Sequence, residues 1–415
     1  MSETQQTKTG KKIAIVTMGV KLGDETRGYT RFRFLAEFLV KKGYEVDLIT
    51  SSFQHWDKAQ RDLASPQYRD LPYKVVFIRE PGYARNIDPR RIFSHALAAR
   101  RMRAYFADHI HEYALVYSEI PPNDVALACA EAAHDAGIPY VADINDLWPE
   151  AMRMVVDVPV ISDIAFHGFT RDAHKVYNLL DGAVGTSDEY AQRPAADREQ
   201  PYPHVTCYVG NDLAEFDAGV AENAAQVEKP AGEFWVMYTG TLGASYDLET
   251  AIRAVAALAA DHPGLRLKVL GDGPDRERLV GVAEQLGAPA DFLGYTPYPV
   301  MAAWLSKCDV TLNSLVASAP QSIVTKIGDY LAAGKPMVNT GSSPEFRGKV
   351  VSDGFGVNVP AEDVAALAGA IEALIANPAS CVLMGERARD VAEREFDRPQ
   401  SYETIVGLIE SLLGR

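Results

Sequence analysis

Short apolar runs alternate with amphipathic stretches along most of the chain. The first runs read KIAIV, EVDLITS, YKVVFI, ALVYSEI and PYVADI, and near-continuous apolar runs of this kind are typical of strands buried on both faces of a parallel sheet. Between the first two, residues 30–42 carry Phe34, Phe38 and Leu39 at helical spacing, and Gly43 provides a C-cap. Strands that alternate with helices predict a doubly wound parallel α/β sheet.

The alternation of predicted strands and helices is interrupted once and then resumes. Residues 198–233 are rich in Pro, Gly and charge, and we interpret them as the crossing between two Rossmann-like domains, 1–214 and 215–395. Outside the second repeat, YETIVGLIESLL at 402–413 predicts an amphipathic helix. Two parallel sheets joined in this way are expected to face a cleft, which is a preferred place for a ligand.

Composition narrows the class of protein. The chain has 415 residues, of which 47% are hydrophobic and 23% charged, so a disordered or disulfide-stapled protein is excluded. It contains no apolar run of about 18 residues, and the polar N-terminus lacks a signal-peptide core, so we expect a cytoplasmic protein. The four cysteines show no CxxC spacing, which argues against a zinc site. A net charge of −15 argues against a nucleic-acid partner.

Three glycine-containing loops follow apolar strands. Glycine lets the backbone approach a ligand, and a helix that starts after such a loop offers free N–H groups to an anion. The first loop, GVKLGDETRGYTR, lacks the GxGxxG spacing of dinucleotide-binding proteins, and a plain β–α turn remains an alternative for it. The candidate donor-binding residues in the three loops are Gly28, Arg31, Gly240, Thr241, Leu242, Gly243, Gly271, Asp272 and Gly273.

A further stretch, TKIGDYLAAGKP, carries two charged residues. A helix here puts Lys326 and Asp329, three residues apart, on one face. An ionised Asp is an acceptor with several lone pairs, so Asp329 could accept both hydroxyls of a ribose. The alternative is a surface Lys–Asp pair that contributes a few tenths of a kcal/mol.

The ordered series of motifs resembles the family 4 retaining glycosyltransferases, which have the two-Rossmann GT-B fold. The resemblance rests on GYTRFRFLAEFLVKKGYEV, GTLGASYDLETAI, VLGDGPDRERL, DFLGYTPYPVMAAWLSKCDVTL, KIGDYLAAGKPMV and DGFGVNVPAED, and it covers nearly the whole chain. Within the family, DLWPEAM and KIGDYLAAGKP resemble the branch that builds bacterial surface polysaccharides. The resemblance implies a nucleotide-sugar donor bound to the C-terminal domain without a metal or other cofactor. It also implies that the C-terminal helix, in 396–415, returns to the N-terminal domain.

Family roles transfer to this chain with changes. The Glu-x7-Glu motif falls on Gln321 and Asp329, so Asp329 would hold the ribose and Gln321 would reach the donor sugar. The two basic residues that usually neutralise the diphosphate fall on Thr241 and near Tyr246, which are not basic. A departing diphosphate still needs positive charge or N–H donors. These could come from Lys326, from Arg31, or from the backbone of residues 240–244 and 322–324.

The acceptor side departs from the family as well. Its usual histidine falls on Asn145, a loss that a retaining transferase can tolerate because the leaving phosphate can take the acceptor's proton. Asp146 and Glu150 are catalytic candidates that could orient the acceptor hydroxyl or stabilise an oxocarbenium-like centre. An N-cap role is the alternative for Asp146. Glu119, at a strand end, is a further acceptor-side candidate.

A cluster of arginines could form a binding surface for an anionic partner. The members are Arg90, Arg91, Arg100, Arg101 and Arg103. A basic, partly amphipathic helix can sit on an anionic membrane surface, which raises the hypothesis of peripheral contact with the inner membrane face. A solvated arginine face is the alternative.

The sequence therefore predicts a glycosyltransferase of hexosyltransferase type. It would move a sugar, with retention, from a nucleoside diphosphate donor (UDP-linked by expectation) to a saccharide or lipid-linked saccharide in surface polysaccharide synthesis. Two alternatives stay open: a GT-B nucleotide-sugar epimerase, and a non-catalytic nucleotide-sugar-binding partner subunit.

Overall fold

The computed structural model describes residues 10–25, 30–86, 88–150, 161–319 and 323–414. The chain forms two compact units, one built from Met1–Cys207 with Tyr402–Arg415 and the other from Tyr208–Ser401. The segment that begins at Tyr208 belongs to the second unit because Tyr208, Leu213 and Phe216 are buried in its core. Phe396 stacks on Tyr208 with ring centroids 4.5 Å apart, so the chain leaves the second unit only after Phe396.

The first unit contains nine strands and six α-helices among its described residues. They are β1 (Lys12–Val16), α1 (Arg31–Lys41), β2 (Glu45–Ser51), β3 (Phe53–Gln54), β4 (Ala59–Gln60), β5 (Lys74–Ile78), α2 (Pro89–His109), β6 (Leu115–Ile120), α3 (Asn123–Ala136), β7 (Tyr140–Ile144), α4 (Ile161–Leu179), β8 (Gly182–Gly185), α5 (Asp188–Gln192), β9 (His204–Thr206) and, at the end of the chain, α15 (Glu403–Leu413).

Seven of these strands form one sheet in the order β5-β2-β1-β6-β7-β8-β9, and every neighbouring pair is parallel. Two core clusters cover its faces. One joins residues of α2, α3 and α4, such as Met102, Ala126 and Val176, and the other joins Phe32 of α1 to Ile409 of α15. The order reverses between β1 and β6, and ligands of open α/β sheets bind outside the carboxyl ends of the strands at such a reversal.

The second unit repeats this plan. Its elements are α6 (Leu213–Asn223), β10 (Phe234–Thr239), α7 (Leu248–Leu258), β11 (Leu265–Leu270), α8 (Arg276–Leu286), β12 (Ala290–Gly294), α9 (Tyr298–Lys307), β13 (Val310–Asn313), α10 (Ile327–Ala332), β14 (Met337–Asn339), α11 (Pro344–Ser352), β15 (Gly356–Asn358), α12 (Val364–Ala376), α13 (Pro378–Val391) and α14 (Arg398–Ser401).

The six strands of this unit form a parallel sheet in the order β12-β11-β10-β13-β14-β15, which reverses between β10 and β13. The predicted doubly wound parallel architecture is therefore confirmed for both units. Over the described residues, no single helix has the length and apolar character of a membrane span. One pair of helices, Val364–Ala376 and Pro378–Phe396, has that length and composition only when the two are taken together, and they are bent by 102° relative to each other.

Candidate functional site

The glycine loops of the second unit meet at the carboxyl ends of β10 and β11. The N–H of Gly240 donates to Leu270 O (2.9 Å), and the N–H of Leu242 donates to Asp272 O (3.0 Å). Gly271 has a φ of +135°, and a Cβ added to it would lie 1.9 Å from the Gly240 oxygen. A Cβ on Gly273 would lie 2.2 Å from the Leu242 oxygen. Glycine is thus required at 271 and 273 for the two loops to touch. The structure brings together the predicted residues of these two loops of the second unit.

Lys326 points into these loops. Its side chain is buried, and Nζ has no hydrogen-bond partner among the described residues. The ammonium lies 3.9 Å from the ring centroid of Tyr238 and 3.8 Å from that of Tyr246. A Cβ on Gly240 would come within 2.9 Å of Nζ, so the glycine makes room for the cation. Burial lowers the pKa of Lys326 well below its ordinary value. We call Lys326, Tyr238, Tyr246 and Gly240 the lysine cradle.

An unpaired buried ammonium is costly unless an anion joins it. Burying a charge without a partner is unfavourable, and surrounding aromatic faces offset only part of that cost. A phosphate oxygen that approached through the glycine loops would supply the missing charge and accept a charge-assisted hydrogen bond. The cradle could therefore neutralise a phosphate without the two basic residues that the resemblance places at Thr241 and near Tyr246.

Asp329 lies on the same helix but contacts different elements. Helix α10 begins at Ile327, so Lys326 is its N-cap, and the two side chains form no ion pair in the described structure. Asp329 Oδ1 accepts hydrogen bonds from Tyr298 OH (2.9 Å) and Asn211 Nδ2 (3.0 Å). Its other oxygen, Oδ2, accepts none from the described residues. Burial raises the pKa of Asp329 to about 6, so the carboxylate is ionised at neutral pH.

A cavity of about 500 Å³ opens beside the cradle, with Tyr246 in its wall. The other walls include residues of α7 and of the first turn of α8, and Arg253 and Arg278 from these helices both donate to Glu249 (2.7 and 2.6 Å). A space of this size suits a ligand as large as a nucleotide. Across the described residues, no three His, Cys, Asp or Glu side chains come together as a metal site would require.

The donor contact predicted for Arg31 does not fit its environment. The side chain is 0% exposed, and Nε donates to Asp143 Oδ2 at 2.9 Å while Nη1 donates to Cys207 O at 2.9 Å. Burial alone would lower the pKa of Arg31, but the charge of Asp143 raises it well above the ordinary value. Arg31 is therefore a buried ion-pair partner in the core of the first unit, and we withdraw it from the donor set. Gly28 and Gln321, two other predicted site residues, lie outside the described residues.

Glu119 stands at the switch point of the first sheet. It is the penultimate residue of β6, and its Oε2 accepts hydrogen bonds from Thr17 OH (2.6 Å) and from the N–H of Met18 (3.1 Å), both just beyond β1. Burial raises the pKa of Glu119 to about 7 despite these two donors. Such a carboxyl group is poised to exchange a proton near neutral pH.

The other acceptor-side candidates are held by close neighbours. Asp146 accepts hydrogen bonds from the N–H of Leu147 (2.9 Å) and from Trp148 Nε1 (3.0 Å), and burial raises its pKa. Asn145 Nδ2 donates to Asp143 Oδ1 at 3.1 Å. Glu150 accepts two hydrogen bonds from Arg193 (3.0 and 2.6 Å), which gives it a structural ion pair. Asp146 is thus oriented toward Trp148, whereas Glu150 is already neutralised.

The predicted arginine cluster divides between different environments on α2. Arg91 lies over the Trp148 ring, Arg101 donates to Arg79 O, and Arg103 pairs with Glu131 at 3.1 Å. Arg90 and Arg100 are exposed. Arg90 and Arg100 therefore present side-chain cations without an ion-pair partner among the described residues, while Arg91 belongs to a different surface.

Three residues of the candidate site are not predicted by the sequence. Tyr298 and Asn211 hold Asp329, and Tyr238 forms one side of the lysine cradle. Tyr298 and Asn211 are far from Asp329 in sequence, and nothing in their local patterns marks them. A lysine within the apolar context SIVTKIGDYL was the available signal for the cradle.

Comparison with known proteins finds sequence similarity over part of the chain. Residues 233–377 match the family model described as glycosyl transferases group 1. The chain is 26% identical over 269 residues to the glycogen synthase of Mycobacterium tuberculosis, covering 60% of this chain and 62% of that protein. It is 29% identical over 197 residues to the lipopolysaccharide core biosynthesis glycosyltransferase LpsE of Rhizobium meliloti, covering 46% and 54%. The match thus spans less than two thirds of either relative.

The solved structure of Anabaena HepE in complex with UDP shares the fold. It superposes with a TM-score of 0.70 at 17% identity, over 97% of this chain and 100% of that one. Residues 233–377 thus match the group 1 glycosyltransferase model, and the chain as a whole adopts the GT-B fold of two Rossmann-like parallel-sheet units.

Proposed function

We propose that this protein is a retaining glycosyltransferase of surface polysaccharide synthesis. It would transfer a sugar from a UDP-linked donor to a saccharide or lipid-linked saccharide. The observation that carries the proposal is the lysine cradle: a buried ammonium, with no hydrogen-bond partner among the described residues, beside two glycine loops at the carboxyl ends of β10 and β11. The names of LpsE and of the UDP complex of HepE support the polysaccharide context and the uridine nucleotide.

The donor would be bound by the second unit. Lys326 and the loop N–H groups would hold the diphosphate, and the open oxygen of Asp329 would accept the ribose hydroxyls. The first unit would bind the acceptor, with Glu119 and Asp146 as candidates to orient its hydroxyl.

Retention follows when attack and departure occur on one face of the sugar. The bond between the anomeric carbon and the phosphate oxygen breaks while the bond from that carbon to the acceptor oxygen forms. The acceptor proton passes to the departing diphosphate oxygen, so no protein base is obligatory. Lys326 would stabilise the charge that develops on the diphosphate. No metal takes part in this scheme, and donor binding and transfer are expected to be unchanged by EDTA.

Asp329→Ala is expected to weaken UDP binding about tenfold while leaving pyrophosphate binding unchanged, because the change removes an acceptor of the ribose and no contact to phosphate. Titration calorimetry with both probes measures this, with circular dichroism as the check on folding. Equal losses for UDP and pyrophosphate, or no loss for UDP, would contradict the ribose assignment.

We also propose that α2 contacts an anionic membrane. Ile92 and Phe93 are 55% and 66% exposed, and the exposed Arg90 and Arg100 lie on the same helix. Ile92 and Arg100 are eight positions apart, which is the spacing of a single helix face. Apolar side chains beside free cations suit a surface of anionic lipids.

Phe93→Ser and Arg100→Glu are each expected to reduce flotation with vesicles that contain phosphatidylglycerol, since one removes apolar insertion and the other reverses a charge. Arg69→Glu, at another exposed position of the same unit, provides the matched control. Binding that is equal on purely zwitterionic vesicles, or that survives both substitutions, would refute the membrane contact.

A further inference from the structure

A second polar and aromatic cluster lies in the first unit, at the carboxyl ends of β2, β5 and β7. Tyr83 is at its centre. His55 contacts the phenol through Nδ1 (2.5 Å), and the rings of His95 and Tyr83 are 5.7 Å apart. Trp148 stacks on His95 with ring centroids 6.3 Å apart. We call these four residues with Arg91 and Lys58 the tyrosine cluster.

Two cations approach the aromatic rings of this cluster. The Arg91 guanidinium carbon lies 4.6 Å from the Trp148 centroid and 5.4 Å from that of Tyr83. Lys58 Nζ lies 5.2 Å from the Tyr83 centroid. Arg91 Nε is buried without a hydrogen-bond partner among the described residues, and no described carboxylate forms an ion pair with this guanidinium. The guanidinium is held by stacking and by a hydrogen bond from Nη1 to Asn86 O (3.2 Å), and Nε remains a donor without a partner among the described residues.

The carboxylates that face the cluster are occupied by other donors. Glu80 accepts hydrogen bonds from Ser51 and from Ser94 (2.7 Å), and burial raises its pKa. Asp146, as described above, accepts from the Leu147 N–H and the Trp148 indole. Neither carboxylate forms an ion pair with the two cations in the described structure, although the charge of Arg91 opposes the rise that burial causes in both pKa values.

The pKa values of the cluster's titratable groups are lowered first by burial and then by the neighbouring positive charges. Burial, followed by the charges of Lys58 and Arg91, lowers the pKa of His55 to about 4. Burial and then Arg91 lower the pKa of His95 to about 3. Both histidines are therefore neutral at physiological pH, and burial and Arg91 lower the pKa of Lys58 as well.

The backbone of Lys58 adopts an uncommon conformation. It has a φ of +53° in the turn between β3 and β4, a conformation that is uncommon for a residue with a side chain and that clusters at functional sites. The same turn carries Trp56, which is 49% exposed and whose indole donates to Gly19 O at 2.9 Å. The turn thus presents a cation and a flat apolar ring next to each other.

We infer that the tyrosine cluster binds an anionic group of the acceptor, a carboxylate or phosphate carried by a saccharide. The inference rests on the proposed function, since it names the class of acceptor. A planar guanidinium with a free donor recognises both oxyanions through paired hydrogen bonds, and Lys58 adds a point charge. The exposed Trp56 ring offers a face for the apolar side of a sugar.

The test compares glucuronate, glucose 6-phosphate and glucose as probes, using the intrinsic tryptophan fluorescence of the full chain. Both anionic sugars are expected to bind about tenfold more tightly than glucose, as one charge-assisted contact would give. Arg91→Met, and independently Lys58→Met, are expected to reduce this preference, whereas Arg69→Met is expected to keep it. The glucuronate and phosphate arms show which oxyanion is preferred.

The inference is overturned if the wild-type protein binds glucose as well as the anionic sugars, or if both Arg91→Met and Lys58→Met keep the preference. UDP titrations of the same proteins separate this result from the proposed function. A wild-type protein that fails to bind UDP contradicts the transferase proposal, whereas UDP binding without anion preference contradicts the acidic acceptor alone.

Discussion

Lys326→Met is expected to weaken UDP binding about 100-fold, which corresponds to about 3 kcal/mol. The substitution keeps the length of the side chain between Tyr238 and Tyr246 but removes the ammonium that would meet the diphosphate. Pyrophosphate should lose affinity to a similar extent, because the loss concerns phosphate and not the nucleoside. Titration calorimetry with both probes measures the effect.

Two variants control this experiment. Lys326→Arg keeps a cation at the same position and is expected to retain most of the affinity. Lys349→Met removes a lysine of the same unit that pairs with Asp353 at 3.1 Å, and should leave UDP binding unchanged. Full affinity in Lys326→Met would show that the diphosphate is neutralised elsewhere.

The pH dependence of donor binding follows from the same two residues. UDP-glucose is the suitable probe because its diphosphate does not titrate near neutral pH. Affinity should rise as pH increases through about 6, where Asp329 ionises. It should fall at alkaline pH, because the buried Lys326 loses its proton more readily than an ordinary lysine and must regain it to bind. The alkaline limb should be absent in Lys326→Arg, and its persistence there would show that another group is responsible.

Arg31→Met is expected to destabilise the protein by about 3–5 kcal/mol, because it leaves Asp143 buried without its cation. Both side chains of the pair are 0% exposed, and Tyr117 OH also donates to Asp143 Oδ2 (2.5 Å). Chemical denaturation followed by circular dichroism measures the loss, with the transition of the first unit monitored separately from that of the second.

Helix α1 supplies the matched control. Arg33 is only two positions away and pairs with Glu37 at 2.9 Å, but both side chains are about one third exposed. Arg33→Met should therefore cost about 0.5 kcal/mol or less. In addition, Arg31→Met combined with Asp143→Asn should recover part of the stability, since no unpaired charge remains. Equal effects at positions 31 and 33 would refute the structural role of the pair.

Much of the fold could be predicted because the buried strands of parallel α/β units have nearly continuous apolar sequences. The β3–β4 hairpin, with only two residues in each strand, has no such run and was missed. The crossing between the units was placed by loss of periodicity. The structure divides the chain at Tyr208, which lies inside the predicted crossing of 198–233 but before the predicted boundary at 214, because the Tyr208 ring stacks with Phe396 from much later in the chain.

The candidate site was predictable where function depends on the backbone. The roles of Gly271 and Gly273 could be predicted from the sequence because glycine lets two backbones approach closely, and a residue with a Cβ does not allow these contacts. Side-chain pairing across long sequence distances was not predictable. Arg31 follows a glycine loop as a phosphate ligand would, but it meets Asp143 in the core, and Glu150 meets Arg193. Lys326 was assigned to a helix face, whereas its position at the N-cap directs it toward Gly240.

A crystal structure of the protein soaked with UDP tests the central claim most directly. We predict that a diphosphate oxygen lies within hydrogen-bond distance of Lys326 Nζ and that the ribose hydroxyls contact Asp329 Oδ2. A nucleotide bound without contact to Lys326, or outside the loops that follow β10 and β11, would contradict the claim.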